Sequence, residues 1–174
     1  MHPSNLPLQP AGDDNMPPIP DRDIYTPPAG PPQTDRIPPA VYEAMGADNI
    51  YAFSEAFYKR LGASTIAHLF PTTPGGLKLA SQKSGAMFIF LFGGPHEYQR
   101  RFGPPRLRMR HLPFVIDENA RQEWLRCLRE TLAEAPRLFS MPAEHVPAID
   151  TFMTDFSAWM VNAKPKQPDQ DNTK

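Results

Sequence analysis

The chain has 174 residues, 23 of them proline, a single cysteine and a formal net charge of −1. The lone Cys127 excludes a disulfide framework, a CxxC redox pair and a Cys-based zinc site, and the near-neutral charge argues against a general polyanion binder. The longest apolar run, the seven residues from Ala86 to Phe92, falls well short of the roughly 18 a membrane span needs, and no signal-like segment opens the chain, so a cytoplasmic protein with no membrane partner is expected.

Twelve of the prolines lie in residues 1–40, which carry five acids and two bases. Proline fixes φ and removes a donor, so neither helix nor sheet can run through them. They read as a disordered or polyproline-II-like arm, either a solvated tail or a docking segment for a protein partner. Residues 41–163 read as the folded domain and 164–174 as a disordered polar tail.

Ile50, Phe53, Phe57 and Leu61 recur at helical spacing, which predicts a helix within 41–62. Gly46 separates a short first helix from it; Asp48 is placed to cap its start and Gly62 to end it. A short apolar turn, Ile66 to Phe70, leads to the Pro74-Gly75-Gly76 breaker. A second stripe, Leu77, Ala80, Ser84, Met87, Phe88 and Leu91, is bulky at its end and small in its middle, which leaves a notch. Gly93-Gly94-Pro95 stops that helix. A third helix is predicted over 117–135, from Asp117 to a stop at Pro136, with Ala120, Trp124, Cys127, Leu128 and Leu132 on one face. A fourth covers 143–162, with Pro147 tolerable only in its first turn. The pattern is all-α with short connectors.

The segment from Gly93 to Ile116 is broken by Gly and Pro and carries Arg100, Arg101, Arg106, Arg108 and Arg110. Such a cluster needs solvent or an anion; a cofactor bearing two carboxylates would occupy two or three of these residues. His111 follows, at a helix end set by Pro113. A lone histidine there is more often structural, and His2, His68, His96 and His145 show no metal-like spacing for zinc. One axial imidazole is enough for haem, and no CxxCH motif is present for covalent attachment. Taken singly, Tyr58 and Trp124 read as buried aromatics.

Phe92-Gly93-Gly94-Pro95, Tyr98, Pro105-Arg106-Leu107-Arg108-Met109-Arg110-His111, Pro113-Phe114, Ile116 and Trp124-Leu125-Arg126-Cys127 occur in register, after Phe57-Tyr58 and Phe70-Pro71. Over residues 40–162 this set resembles the group II truncated haemoglobins. The resemblance implies a globin-like two-over-two helical sandwich around non-covalent b-type haem. By that resemblance His111 is the proximal ligand of a five-coordinate iron. Tyr58, Trp124, Ser84 and Ala80 are the distal ligand-binding positions. Phe70, Met87, Phe88 and Phe114 wall the haem pocket, and Arg108 and Arg110 are the propionate candidates. Phe70 stands where many members carry tyrosine, and Ser84 where they carry a larger residue.

The implied function is binding of dioxygen, nitric oxide and carbon monoxide, with nitric oxide or peroxide redox chemistry supported by a reductase. Two donors to a polarised ligand, at about 1.5–3 kcal/mol each, would slow its escape by two orders of magnitude or more. That suits a sensor, scavenger or redox catalyst better than bulk oxygen transport. Two other readings stay open on the residues alone: a haem-free interaction module acting through the proline-rich arm, and a nucleic-acid binder using the arginine loop.

Overall fold

The computed structural model describes residues 16–164. Among them are six α-helices and no strand: α1 (Ala40–Gly62), α2 (Pro74–Leu91), α3 (Glu97–Phe102), α4 (Leu107–His111), α5 (Glu118–Leu138) and α6 (Val146–Met160). None is long and apolar enough to cross a membrane. α1 packs on α2, α5 on α6, and the first pair meets the second through α1 and α5. This is the two-over-two arrangement expected. The short α3 and α4 pack on α2 and α6, respectively.

The apolar stripes meet in one core. Ile50, Phe53, Phe57 and Leu61 of α1 are fully buried with Leu125, Leu128 and Leu132 of α5 and Ile149 of α6. Phe53 meets Phe88 and Phe139 edge-on at 5.5 and 6.0 Å, the geometry favoured by ring quadrupoles. Each such side chain contributes about 1.5–3 kcal/mol by leaving water. The polar group between α1 and α2 is satisfied: the Ser54 hydroxyl donates to the Ser81 carbonyl at 2.7 Å. Ion pairs bind the helices at the surface, Arg60 to Glu134 (2.6 Å) and Arg129 to Asp150 (2.8 Å).

One expected boundary is met and two are not. Gly46 does divide α1, with φ 69° and ψ 168°, and the helix resumes beyond it, where the Asn49 amide donates to the Met45 carbonyl at 2.9 Å. Pro74-Gly75-Gly76 is not a breaker but the first turn of α2. Thr73 caps it through Gly76 N–H, and Pro74 at the first position loses no helical bond. Pro136 does not stop α5, which runs on to Leu138. A proline this near the end removes one bond only, and Phe139 N–H closes the turn on the Ala135 carbonyl at 2.9 Å.

At the α2 corner Gly93 has φ 90°, and a Cβ there would lie 2.5 Å from the Cα of Pro39. Glycine is therefore what lets the chain turn against the start of α1.

Residues 16–39 have neither helix nor strand, as their prolines dictate. The described part of the arm is nonetheless not a free tail. Ile37 is buried in the core, Tyr25 N–H donates to the Asn162 carbonyl at 3.0 Å, and Arg22 bonds three carbonyls of the domain. Residues 1–15 of the expected arm and 165–174 of the expected tail lie outside the described residues.

Candidate functional site

A cavity of about 380 Å³ lies between the two helix pairs. Its wall on α2 carries Ala80, Ser84, Met87 and Phe88, the small residues of the notch and the bulky ones that follow them. Phe70 and Tyr58 contribute an edge-on pair with ring centroids 5.7 Å apart. Trp124 of α5 is held edge-on by Phe57 at 5.2 Å and also faces the space. His111 enters from the end of α4, and Phe114, 43% exposed, stands at the rim.

His111 Nδ1 lies 2.6 Å from the Leu107 carbonyl. A carbonyl can only accept, so Nδ1 carries the proton and Nε2 keeps its lone pair. Burial pushes the imidazole pKa below the ordinary value, against the smaller opposing effect of the Leu107 bond. The ring is therefore a neutral donor with a fixed tautomer, the state a metal-ligating imidazole requires. Among the described residues no group of three His, Cys, Asp or Glu is placed to hold a bare metal ion. One imidazole in a large, mostly apolar space fits a metal whose other ligands arrive with it, as in a macrocycle.

Tyr58 has its pKa raised by burial, partly offset by a hydrogen bond with the Ser84 side chain. Its hydroxyl thus stays protonated in the cavity and able to donate.

The two arginines proposed for an anionic partner separate. Arg110 lines the cavity, and its guanidinium also donates to the carbonyls of Pro105 (3.0 Å) and Phe102 (3.1 Å). Arg108 does not line it, which corrects the expectation. Its guanidinium donates to Tyr25 (2.8 Å), Val161 (3.0 Å) and Trp159 carbonyls and sits over the Trp159 ring, 4.3 Å from the centroid. A short α4 turns consecutive even positions to different sides, so i and i+2 cannot serve one ligand.

The cation missing from the sequence reading is Lys83. It lines the cavity with Tyr98, and its pKa is lowered first by burial and then by Arg110. The signal was present: Lys83 lies three residues after Ala80 and four before Met87, on the same helical face. Arg100 and Arg101 pair with Glu97, so the loop is not a uniform cationic surface. Cys127 is fully buried, and burial pushes its thiol pKa up, which suits a core residue rather than a nucleophile.

Two helix pairs wrapped around one apolar, histidine-bearing cavity define a globin of the truncated kind. The chain belongs to the bacterial-like globin family, whose model matches residues 40–162. It is 32% identical over 93 residues to the group 2 truncated hemoglobin YjbI of Bacillus subtilis (strain 168), covering 53% of this chain and 69% of that one. The fold is similar to phosphate-bound Hell's gate globin IV, with a TM-score of 0.71 at 28% identity, covering 78% of this chain and 82% of that one. It is also similar to the hemoglobin of Chloroflexus aurantiacus, with a TM-score of 0.63 at 30% identity over 71% of this chain and 98% of that one. Membership implies haem-based binding of small diatomic ligands.

Proposed function

We propose that the protein holds non-covalent b-type haem through His111 and retains dioxygen, nitric oxide or carbon monoxide in the pocket of Tyr58, Ser84, Ala80 and Trp124. The observation that carries this is the neutral His111 imidazole, with Nδ1 tied to Leu107 and its ring in a cavity of about 380 Å³. When bound, haem supplies an iron that binds diatomic ligands. The residues do the rest. His111 presents Nε2, and Phe70, Met87, Phe88 and Phe114 exclude water. Lys83 and Arg110 supply the positive charge for two propionates, replacing the Arg108–Arg110 pair. The buried single cysteine does not line the cavity, which supports attachment without thioether bonds.

The Tyr58 hydroxyl and the Trp124 indole N–H are the donors to a polarised ligand. At about 1.5–3 kcal/mol each they slow its release by two orders of magnitude or more. Turnover of nitric oxide or peroxide, fed by a reductase, is the reaction to assay on that pocket.

The test is absorption spectroscopy of the haem-supplied chain in ferric, reduced and CO-bound forms beside His111→Ala. A Soret band that shifts with CO, and is lost or grossly altered in the variant, is expected. A folded wild-type chain without a Soret band refutes the proposal. Stopped-flow oxygen release should then be faster in Tyr58→Phe and Trp124→Phe; unchanged rates would remove the donors from the account.

A further inference from the structure

We infer that Arg22 and Asn162 are positioning residues for the His111 imidazole, so that the proline-rich segment preceding α1 is a working part of the haem site. The inference rests on the reading of His111 as the proximal ligand. α4 has only five residues, too few to be stable alone, and its end is closed locally by just two turn bonds, Leu112 N–H to the Met109 carbonyl at 3.2 Å and Phe114 N–H to the His111 carbonyl at 3.1 Å. Further partners come from elsewhere in the chain. The His111 carbonyl accepts from the Asn162 side-chain amide at 3.1 Å. The Leu112 and Phe114 carbonyls both accept from one nitrogen of Arg22, at 2.8 and 3.1 Å. Ile116 N–H donates to the Asn162 Oδ1 at 3.1 Å, and Arg22 donates to the same oxygen at 2.8 Å. The loop that follows the histidine is thus held by two side chains.

Both are themselves anchored. Asn162 is fully buried, its N–H donates to the Ile116 carbonyl at 2.9 Å, and its carbonyl accepts from Tyr25 N–H and Arg22, each at 3.0 Å. Arg108 of α4 donates back to the Tyr25 carbonyl at 2.8 Å. Residues 22–25 therefore grip α4 from one side while α4 grips them from the other. The imidazole has a single pin of its own, the Nδ1–Leu107 bond, so its tilt follows the helix that carries it. The guanidinium spreads these bonds over two terminal nitrogens, Nη1 to the Asn162 carbonyl and Nη2 to the Leu112 and Phe114 carbonyls and the Asn162 Oδ1, whereas an ammonium has one nitrogen to reach them from.

The experiment uses the full chain reconstituted with haem, as wild type, Arg22→Ala, Arg22→Lys and, as a control on an exposed arginine of the same segment, Arg36→Ala. Resonance Raman spectra of the reduced, ligand-free forms read the iron–histidine stretching band, and transfer to an acceptor apoglobin reads haem release. Arg22→Ala is expected to shift or broaden the band and to speed haem release about tenfold. Arg22→Lys should lie between it and wild type, and Arg36→Ala should match wild type. An unchanged band and rate in Arg22→Ala with wild-type circular dichroism overturns the inference alone. If Arg22→Ala does not fold, Arg22→Lys carries the same comparison, and a wild-type band there overturns it. A wild-type chain that takes up no haem overturns the proximal role of His111 first, and this inference with it.

Discussion

Replacing Arg108 by alanine separates the structural role that its geometry shows from the ligand-binding role that the sequence suggested. The guanidinium donates to three carbonyls, of Tyr25, Trp159 and Val161, and stacks on the Trp159 ring. A hydrogen bond to a charged donor is worth about 1.5–3 kcal/mol and an exposed cation–π contact about 0.5–1. Arg108 is only partly buried, so solvent screens the set, and about 2–4 kcal/mol is the expected loss. For a domain of about 120 residues this lowers the melting temperature of the haem-free chain by about 8–16 °C. Urea or thermal unfolding of apo wild type, Arg108→Ala and Arg108→Lys reads it, with lysine restoring less than half. Apo stability within about 0.5 kcal/mol of wild type, together with weakened haem binding, would refute the reasoning and return Arg108 to the propionates.

The Gly93 corner should tolerate no side chain: Gly93→Ala places a Cβ 2.5 Å from the Pro39 Cα at φ 90°, and a loss of about 2–4 kcal/mol in urea unfolding is expected. Asp117 caps α5 through Ala120 N–H at 2.8 Å, so Asp117→Ala should cost about 1 kcal/mol and leave the Soret spectrum unchanged. Burial raises the Tyr58 pKa above its ordinary value of 10.0, so the folded state keeps its proton where the unfolded chain loses it. Its contribution is full below about pH 10 and falls as pH rises toward the folded pKa. Apo stability measured at pH 9 and pH 11 should therefore drop less in Tyr58→Phe than in wild type, and equal drops would place the hydroxyl in contact with water. Lys83→Met should weaken haem retention in a salt-dependent way, read by haem transfer at low and high ionic strength.

The helices and their buried faces were legible because helical spacing is a local property. Phe53 and Phe57, or Leu128 and Leu132, are brought to one side by the backbone repeat whatever they later touch. The notch at Ala80 and Ser84 was legible for the same reason, since a missing side-chain volume on one face leaves space. His111, Tyr58 and Trp124 came through a spaced motif, and the cavity contains all three. Lys83 shares that face, but a long flexible lysine on a helix carries no local sign of whether its ammonium meets solvent or a cavity, and only the assembled helices decide it.

Sequence alone determined that this chain is all-α, that α2 ends at the Gly93-Gly94 corner, and which faces are apolar, since each follows from backbone sterics and periodicity acting over a few residues. The end of α5 beyond Pro136, the diversion of Arg108 to carbonyls and the docking of residues 22–25 were decided only by the tertiary structure. An arginine or a proline-rich segment carries no record of its partner. Arg22 finds the loop after His111 across about 90 residues of chain, and only the assembled helices bring those carbonyls within its reach.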